Sequence, residues 1–308
     1  MSELTLSVSP HIRSPRSTQK IMLDMIIALM PALVMSVVYF GMRSLLLTAV
    51  SVAVCVLTEY VWEKLAKTPV TVGDLSAAVT GILLAFNVPA GMAVWKLAVG
   101  DIAAICVVKM LFGGIGRNFV NPALVGRVVL AFSFPTDMMT YSFPKKTIDI
   151  LAGATPLAVM DKLDWSDALE LFIGRHGGVL GCTCSAALIA GGVYLVIRKV
   201  IKPTIPLTYI GSYILFMWLF GGSAPVLSTL GGGLMLGAIF MATDYTTSPF
   251  TNKGKLIFGI GCGFITAAIR AFANATEGVS FAILLMNLLV PYINSLTMNK
   301  PLGGMRAK

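Results

Sequence analysis

The run IMLDMIIALMPALVMSVVYF, residues 21–40, carries one charged side chain, Asp24, in twenty positions. A helix needs about 20 mostly apolar residues to cross the hydrocarbon core of a bilayer, so this run reads as a membrane span. The stretch before it, Met1 to Lys20, is polar, holds Arg13, Arg16 and Lys20, and has no apolar core ending in small residues. That is not a cleavable signal, and residues 1–20 are expected to remain as a short cytoplasmic segment.

Nine further hydrophobic segments follow. Leu45–Trp62, Val94–Phe112, Val179–Ile197, Leu256–Phe272 and Phe281–Leu296 have span length or close to it, whereas Leu75–Phe86, Ala123–Phe134, Leu207–Phe220 and Leu227–Thr243 are short or interrupted by glycine. Short segments imply tilted or broken helices. Over the whole chain of 308 residues, 56% are apolar and 12% charged. A water-soluble domain carries about twice that share of charge. The expected fold is an all-α polytopic membrane protein of about ten helices, residues 21–308 forming a single transmembrane domain.

The basic residues test this count. With the N-terminus in the cytoplasm and alternate sides thereafter, the cytoplasmic segments hold Arg13, Arg16, Lys20, Lys64, Lys67, Arg117, Arg198, Lys199, Lys202, Lys253, Lys255, Lys300, Arg306 and Lys308, fourteen of 23. The short outer loops hold Arg43, Lys96 and Arg270. Positive charge resists translocation, so both termini are expected inside, and the long loop 135–176 outside. The net charge of +9 is then a matter of topology. No basic run or aromatic-interleaved patch points to nucleic acid.

Polar, proline-containing sequence breaks the helical pattern in three places: Phe86–Pro89, Gly113–Pro122 and Thr243–Gly254. Irregular backbone survives at membrane depth only where protein or a cavity satisfies it. The second and third breaks each follow a helix and precede another that ends in Ala-Phe, at Ala131-Phe132 and Ala271-Phe272. Five helices lie on each side of the long loop. The pattern fits a five-plus-five inverted repeat; two ordinary cytoplasmic loops are the plainer alternative.

Chemistry-bearing residues are few. Cys55, Cys106, Cys182, Cys184 and Cys262 all fall in apolar segments without metal-ligand spacing, Cys182 and Cys184 being expected on different faces of a helix. With only His11 and His176 beside them, no metal site is expected. In the outer loop, Asp149-Ile150-Leu151-Ala152-Gly153-Ala154-Thr155-Pro156 leaves the backbone beside Thr155 uncrowded, and Pro156 biases Thr155 toward extended geometry. Taken alone, the stretch reads as a turn with an exposed hydroxyl.

Three blocks in order change that reading: Gly113-Gly114-Ile115-Gly116-Arg117-Asn118 running on to Asn121-Pro122-Ala123, then Gly153-Ala154-Thr155, then Met241-Ala242-Thr243-Asp244-Tyr245-Thr246-Thr247-Ser248-Pro249. Over nearly its whole length the chain resembles the RnfD/NqrB family, the flavin-bearing membrane subunits of Rnf and sodium-translocating NADH:quinone oxidoreductase complexes. The resemblance implies FMN joined through its phosphate to Thr155, within an attachment motif that includes Asp149, Gly153 and Ala154. The sequence departs from that motif at Ala152, where the family usually has Ser or Thr. It further implies a flavin transferase for maturation, other complex subunits as partners, the bacterial inner membrane as location, and electron passage between ferredoxin and NAD coupled to Na⁺ or H⁺ movement. About twenty residues precede the first span, fewer than in quinone-reducing NqrB relatives, which favours the Rnf-type subunit over the NqrB-like one. A solute transporter or channel without redox chemistry is the competing class; the Thr155 motif argues against it.

Two further sets remain open. Asn118, Asn121, Thr243, Asp244, Thr247 and Ser248 either line a second, noncovalent flavin site, riboflavin by resemblance, or satisfy loop backbone. The ionisable residues Asp24, Glu59, Asp101, Lys109, Arg127 and Asp244 sit within spans, where charge is costly and normally faces a partner or water. Asp101 and Lys109, eight apart on one expected helix, mark either a cation path or an internal network.

Overall fold

The computed structural model describes residues 17–141, 168–222, 224–273 and 278–298. In it α1 (Thr18–Phe40) is joined to α2 (Met42–Leu65) by Gly41 alone, and the two helices are in contact. They are followed by α3 (Ser76–Phe86), α4 (Val94–Ala103) running into a π-helical turn at Ala104–Met110, α5 (Pro122–Ser133) and the short α6 (Pro135–Met139). The stretch expected to be a loop, 135–176, is helical near both ends, in α6 and in α7 (Ala168–Ile173); after it come α8 (Ser185–Ile197), α9 (Thr204–Leu219), the short α10 (Leu227–Leu230), α11 (Leu234–Leu236) with a second π turn at Gly237–Met241, α12 (Asn252–Phe272) and α13 (Gly278–Thr297). Each of the ten apolar segments contains helix, although those beginning at Val179 and Leu227 are helical only in part. Among the described residues four helices, α1, α2, α12 and α13, are long and apolar enough to cross a membrane individually. The stretch Asp149–Thr155, expected from the resemblance to carry a flavin, lies outside the described residues.

Local chemistry sets the helix ends. The Ser17 hydroxyl accepts from Lys20 N at 3.3 Å and opens α1, capping one of the donors that a helix start leaves orphaned. Gly41, with φ +79°, stops α1 and starts α2 with no further residue between them, a backbone conformation that side-chain-bearing residues rarely adopt.

α2 is built inside out. Its buried face is Ser44, Leu47, Thr48, Ser51, Cys55, Glu59 and Glu63, mostly four residues apart, while Leu46, Leu57, Tyr60 and Val61 are exposed. In water that arrangement would be unstable, since buried charge costs free energy and exposed hydrocarbon gains nothing. In lipid the apolar face meets its natural solvent, and the polar face must find partners in the protein. Exposed Leu23, Val34 and Val38 on α1, and Leu207, Leu215 and Trp218 on α9, extend the lipid-facing surface.

Glycine permits the closest helix approaches. Gly259 and Gly263 on α12 lie against α9, where an added Cβ would fall within 2.9 Å of Thr208 Cβ and 2.7 Å of Tyr213 N. This small-xxx-small spacing lets backbones meet where apolar burial gives helices no reason to associate. Gly191 on α8 meets the Ala28 carbonyl of α1 in the same way. One main apolar core runs from Met22 on α1 to Ile293 on α13, joining the halves before and after the long loop.

The first break is satisfied by a partner strand of chain. Leu180 N donates to Val88 O and Gly181 N to Phe86 O, both at 3.0 Å, and Arg127 Nη1 donates to Asn87 Oδ1 at 2.9 Å and to Ser280 Oγ at 3.0 Å. The apolar segment beginning at Val179 is therefore not helical throughout. Its first residues pair with Phe86–Pro89, and α8 begins only at Ser185. Cys182 and Cys184 consequently do not occupy two faces of a helix. Cys182 lies in the docked turn and Cys184 immediately precedes α8.

Both halves place a π turn before a break and a side-chain-capped helix after it. Ala104–Met110 leads to Gly113–Asn121 and α5; Gly237–Met241 leads to Thr243–Thr251 and α12. The similarity is one of local order.

Candidate functional site

The second and third breaks face each other. Asn121 Oδ1 accepts from Ala123 N at 3.0 Å and Leu124 N at 3.4 Å, capping α5, while its Nδ2 donates to Met241 O at 3.3 Å. With its amide oriented so that both groups are satisfied, Asn287 of α13 donates to Thr247 O at 3.1 Å and accepts from Asn121 N at 3.3 Å. In the third break Asp244 accepts from Thr246 N and Thr246 Oγ1 at 3.3 and 2.9 Å, and Thr251 Oγ1 caps α12 by accepting from Gly254 N at 2.9 Å. Side chains thus serve the loop backbone, and they also tie the two breaks together.

Between the breaks and the N-terminal half lies a cleft of ≈ 700 Å³, counted out to its open mouth. Met22, Met25, Val79, Leu83 and Phe240 form apolar walls; Ser76, Thr80, Asn118, Thr243, Lys109 and Asp244 supply polar groups. Small-molecule and cofactor sites share this mixture of apolar walls and a few convergent polar groups. Four of the six residues expected at a second site, Asn118, Asn121, Thr243 and Asp244, line it. Thr247 and Ser248 do not. They are buried within the third break, and the Thr247 carbonyl is taken by Asn287. Asn118 Oδ1 is buried without a hydrogen-bond partner among the described residues, whereas Asn121 spends both ends of its amide on the fold. The Asn118 amide oxygen is thus left for whatever polar edge enters the cleft. Ser76 and Thr80 join the wall without having stood out as site residues. They are four apart on α3 inside an otherwise apolar run, and that spacing is the only sign the sequence offers.

Asp101 and Lys109 are both fully buried, but they address different partners on the polar face of α2. Asp101 Oδ1 accepts from Ser51 Oγ at 2.6 Å and from Cys55 Sγ at 3.4 Å. One turn along, Lys109 Nζ donates to Glu59 Oε1 at 2.5 Å and to Ser76 Oγ at 2.6 Å. Ser76 in turn donates to Asp74 Oδ1 at 2.5 Å, and Glu63 accepts from Thr71 N at 3.0 Å. Glu59 Oε2 and Asp101 Oδ2 are buried without partners among the described residues. Lys109 sits in the π turn, a distortion that recurs at functional sites. It both pairs with Glu59 and lines the cleft. Glu59 stands out in the sequence only as an ionisable residue within a span; its partner, fifty positions away, leaves no local sign.

The remaining span charges are structural in their contacts. Asp24 meets Tyr194 and Arg198 at 3.0 and 3.3 Å. Arg270 Nη1 donates to Tyr213 OH at 2.9 Å and Ser228 O at 3.1 Å.

Residues 5–303 match the NQR2, RnfD, RnfE family. The chain is similar to the D subunit of the Na⁺-translocating ferredoxin:NAD⁺ oxidoreductase complex of Acetobacterium woodii, 44% identical over 99% of this chain and 97% of that one. It is 38% identical to the D subunit of the proton-translocating ferredoxin:NAD⁺ oxidoreductase complex of Clostridium ljungdahlii, over 98% and 97%. To the D subunit of the ion-translocating oxidoreductase complex of Escherichia coli it is 31% identical, over 97% and 98%.

Proposed function

Because this chain belongs to the NQR2, RnfD, RnfE family, we propose that it is the flavin-carrying RnfD-type membrane subunit of an Rnf complex, passing electrons between ferredoxin and NAD while the complex moves Na⁺ or H⁺. The observation that carries this reading is similarity along the whole chain, at 44% identity, to a protein named as the D subunit of a Na⁺-translocating ferredoxin:NAD⁺ oxidoreductase complex. The chain has no dinucleotide fingerprint and no iron–sulfur cysteine set of its own. Nicotinamide and ferredoxin therefore meet partner subunits.

Two flavin positions follow. FMN is held covalently through its phosphate at Thr155, installed by a flavin transferase that reads Asp149, Gly153 and Ala154. A phosphoester at that hydroxyl leaves the ring system free and keeps the cofactor from leaving between turnovers. Riboflavin occupies the cleft at the second and third breaks. The flavins supply one- and two-electron chemistry when bound. The protein's part at the cleft is to exclude water with Met22, Met25 and Phe240, to present the Asn118 amide to the ring edge, and to place the Lys109 ammonium at the wall. The seam Asp101–Glu59–Lys109 gives buried carboxylate oxygens along α2 that suit a passing cation. In the inner membrane both termini face the cytoplasm and the Thr155 loop faces outward.

The test is complementation of a strain lacking this subunit. Membranes with Thr155→Ala are expected to contain the assembled complex but to have lost NAD⁺ reduction by reduced ferredoxin. Thr155→Ser, which keeps a hydroxyl, retains part of it. Full activity with Thr155→Ala would refute the reading.

A further inference from the structure

The cleft and the carboxylate seam share one charged side chain. Lys109 lines the cleft, and its ammonium lies 2.5 Å from Glu59 Oε1. It is 1% exposed and Glu59 0%. Ser76, the other contact of the ammonium at 2.6 Å, lines the cleft as well. Among the described residues the other charged groups near this point are carboxylates: Asp244 on the cleft wall, Asp74 beyond Ser76, Glu63 one turn along α2, and Asp101 on the far side of Cys55. Glu59 Oε2 is buried with no partner among the described residues, so its carboxylate depends on Lys109 for compensation. Charges brought together inside protein interact far more strongly than in water, and one ammonium cannot fully serve two anions on opposite sides.

We propose that Lys109 couples charge in the cleft to Glu59: negative charge arriving on the cleft's occupant draws the ammonium away from Glu59, which then takes up a cation or proton. This rests on the reading that the cleft holds a noncovalent flavin. Each electron comes from reduced ferredoxin by way of partner subunits, the ferredoxin being oxidised as it gives the electron up, and adds one negative charge to the cleft until a proton joins. Lys109 moves no bond in this scheme; it divides its charge between two sites. The effect is reciprocal by linkage. A carboxylate at Glu59 weakens the pull of Lys109 on cleft charge, and neutralising Glu59 strengthens it.

The experiment is potentiometric titration of the noncovalent flavin in the purified full-length chain, in a Thr155→Ala background so that no covalent flavin absorbs. Lys109→Met should make reduction at least about tenfold less favourable, about 59 mV lower for one electron. Glu59→Gln should shift the potential upward, and Lys109→Arg, which keeps the charge, should stay close to the parent. The double variant should match Lys109→Met, because without the ammonium Glu59 has no lever. Should Lys109→Met fail to retain flavin, Glu59→Gln decides alone: an upward shift supports the coupling and an unchanged potential overturns it. Unchanged potentials in both single variants, with flavin retained, overturn the coupling and leave the cleft reading intact. Absence of any noncovalent flavin from the parent chain overturns both.

Discussion

Gly263→Ala should weaken the α9–α12 contact, and the cost follows from the geometry. A Cβ on Gly263 would overlap Ser212 Oγ and lie 2.7 Å from Tyr213 N and 2.8 Å from Tyr209 O. The hydroxyl can rotate, at the loss of its 3.1 Å bond to Tyr209 O and its 3.3 Å bond to Gly259 O. The two backbone atoms cannot. Relief to ordinary contact near 3.5 Å needs the helices to part by about 0.8 Å, and a gap of that order forfeits a quarter to a half of each dispersion well. Together with the overpacking penalty, we expect a loss of about 2–3 kcal/mol. Gly211→Ala on α9 is the control, since nothing lies within 4 Å of its added Cβ and alanine favours helix by about 1 kcal/mol. The assay is heating in detergent with a thiol-reactive dye. Cys262, fully buried beside Gly263, reacts as the structure opens. Gly263→Ala should lower the midpoint by about 5 °C or more, taking about 2–4 °C per kcal/mol, with Gly211→Ala unchanged or slightly higher. Equal midpoints for the two variants would refute the close-approach argument.

Two further outcomes are expected. Asp101→Asn should slow ion uptake into vesicles containing the complex while flavin content stays the same, because it removes a buried carboxylate charge and keeps the shape; uptake at the parental rate would make Asp101 structural. Reporter fusions at Asp149 and at Lys253 should fall on opposite sides of the membrane, and finding both on one side would end the topology derived from the basic residues.

What can be read from the sequence depends on how local the cause is. Residues 21–40 and 45–62 announce themselves because span length is a property of a single run. The helix expected from Val179 fails at its start because those residues pair with Phe86–Pro89, some ninety positions away in the chain, although Gly177, Gly178 and Gly181 hint at irregular backbone there. Neither π turn leaves a compositional trace, as a shift of hydrogen-bond partner asks for no particular residue. Asn118, Asn121, Thr243 and Asp244 are legible as polar groups in proline-broken stretches, and the fold gathers them. Thr247 and Ser248 look equivalent in the sequence, but the chain buries them within the loop. Asp101 and Lys109 are legible as costly charges, yet their spacing of eight misleads as a sign of one couple on one face. Each instead meets its own partner on α2, and Lys109's partner Glu59 becomes visible only once α2 and α4 stand side by side.

Mass spectrometry of the peptide spanning Asp149–Lys162, from the intact chain purified out of cells with an active flavin transferase, tests the central claim most directly. Thr155 should carry one FMN through a phosphoester, and the denatured band should fluoresce as a flavin, with both signals gone in Thr155→Ala. An unmodified Asp149–Lys162 peptide from a non-fluorescent band would contradict the flavin-carrying role.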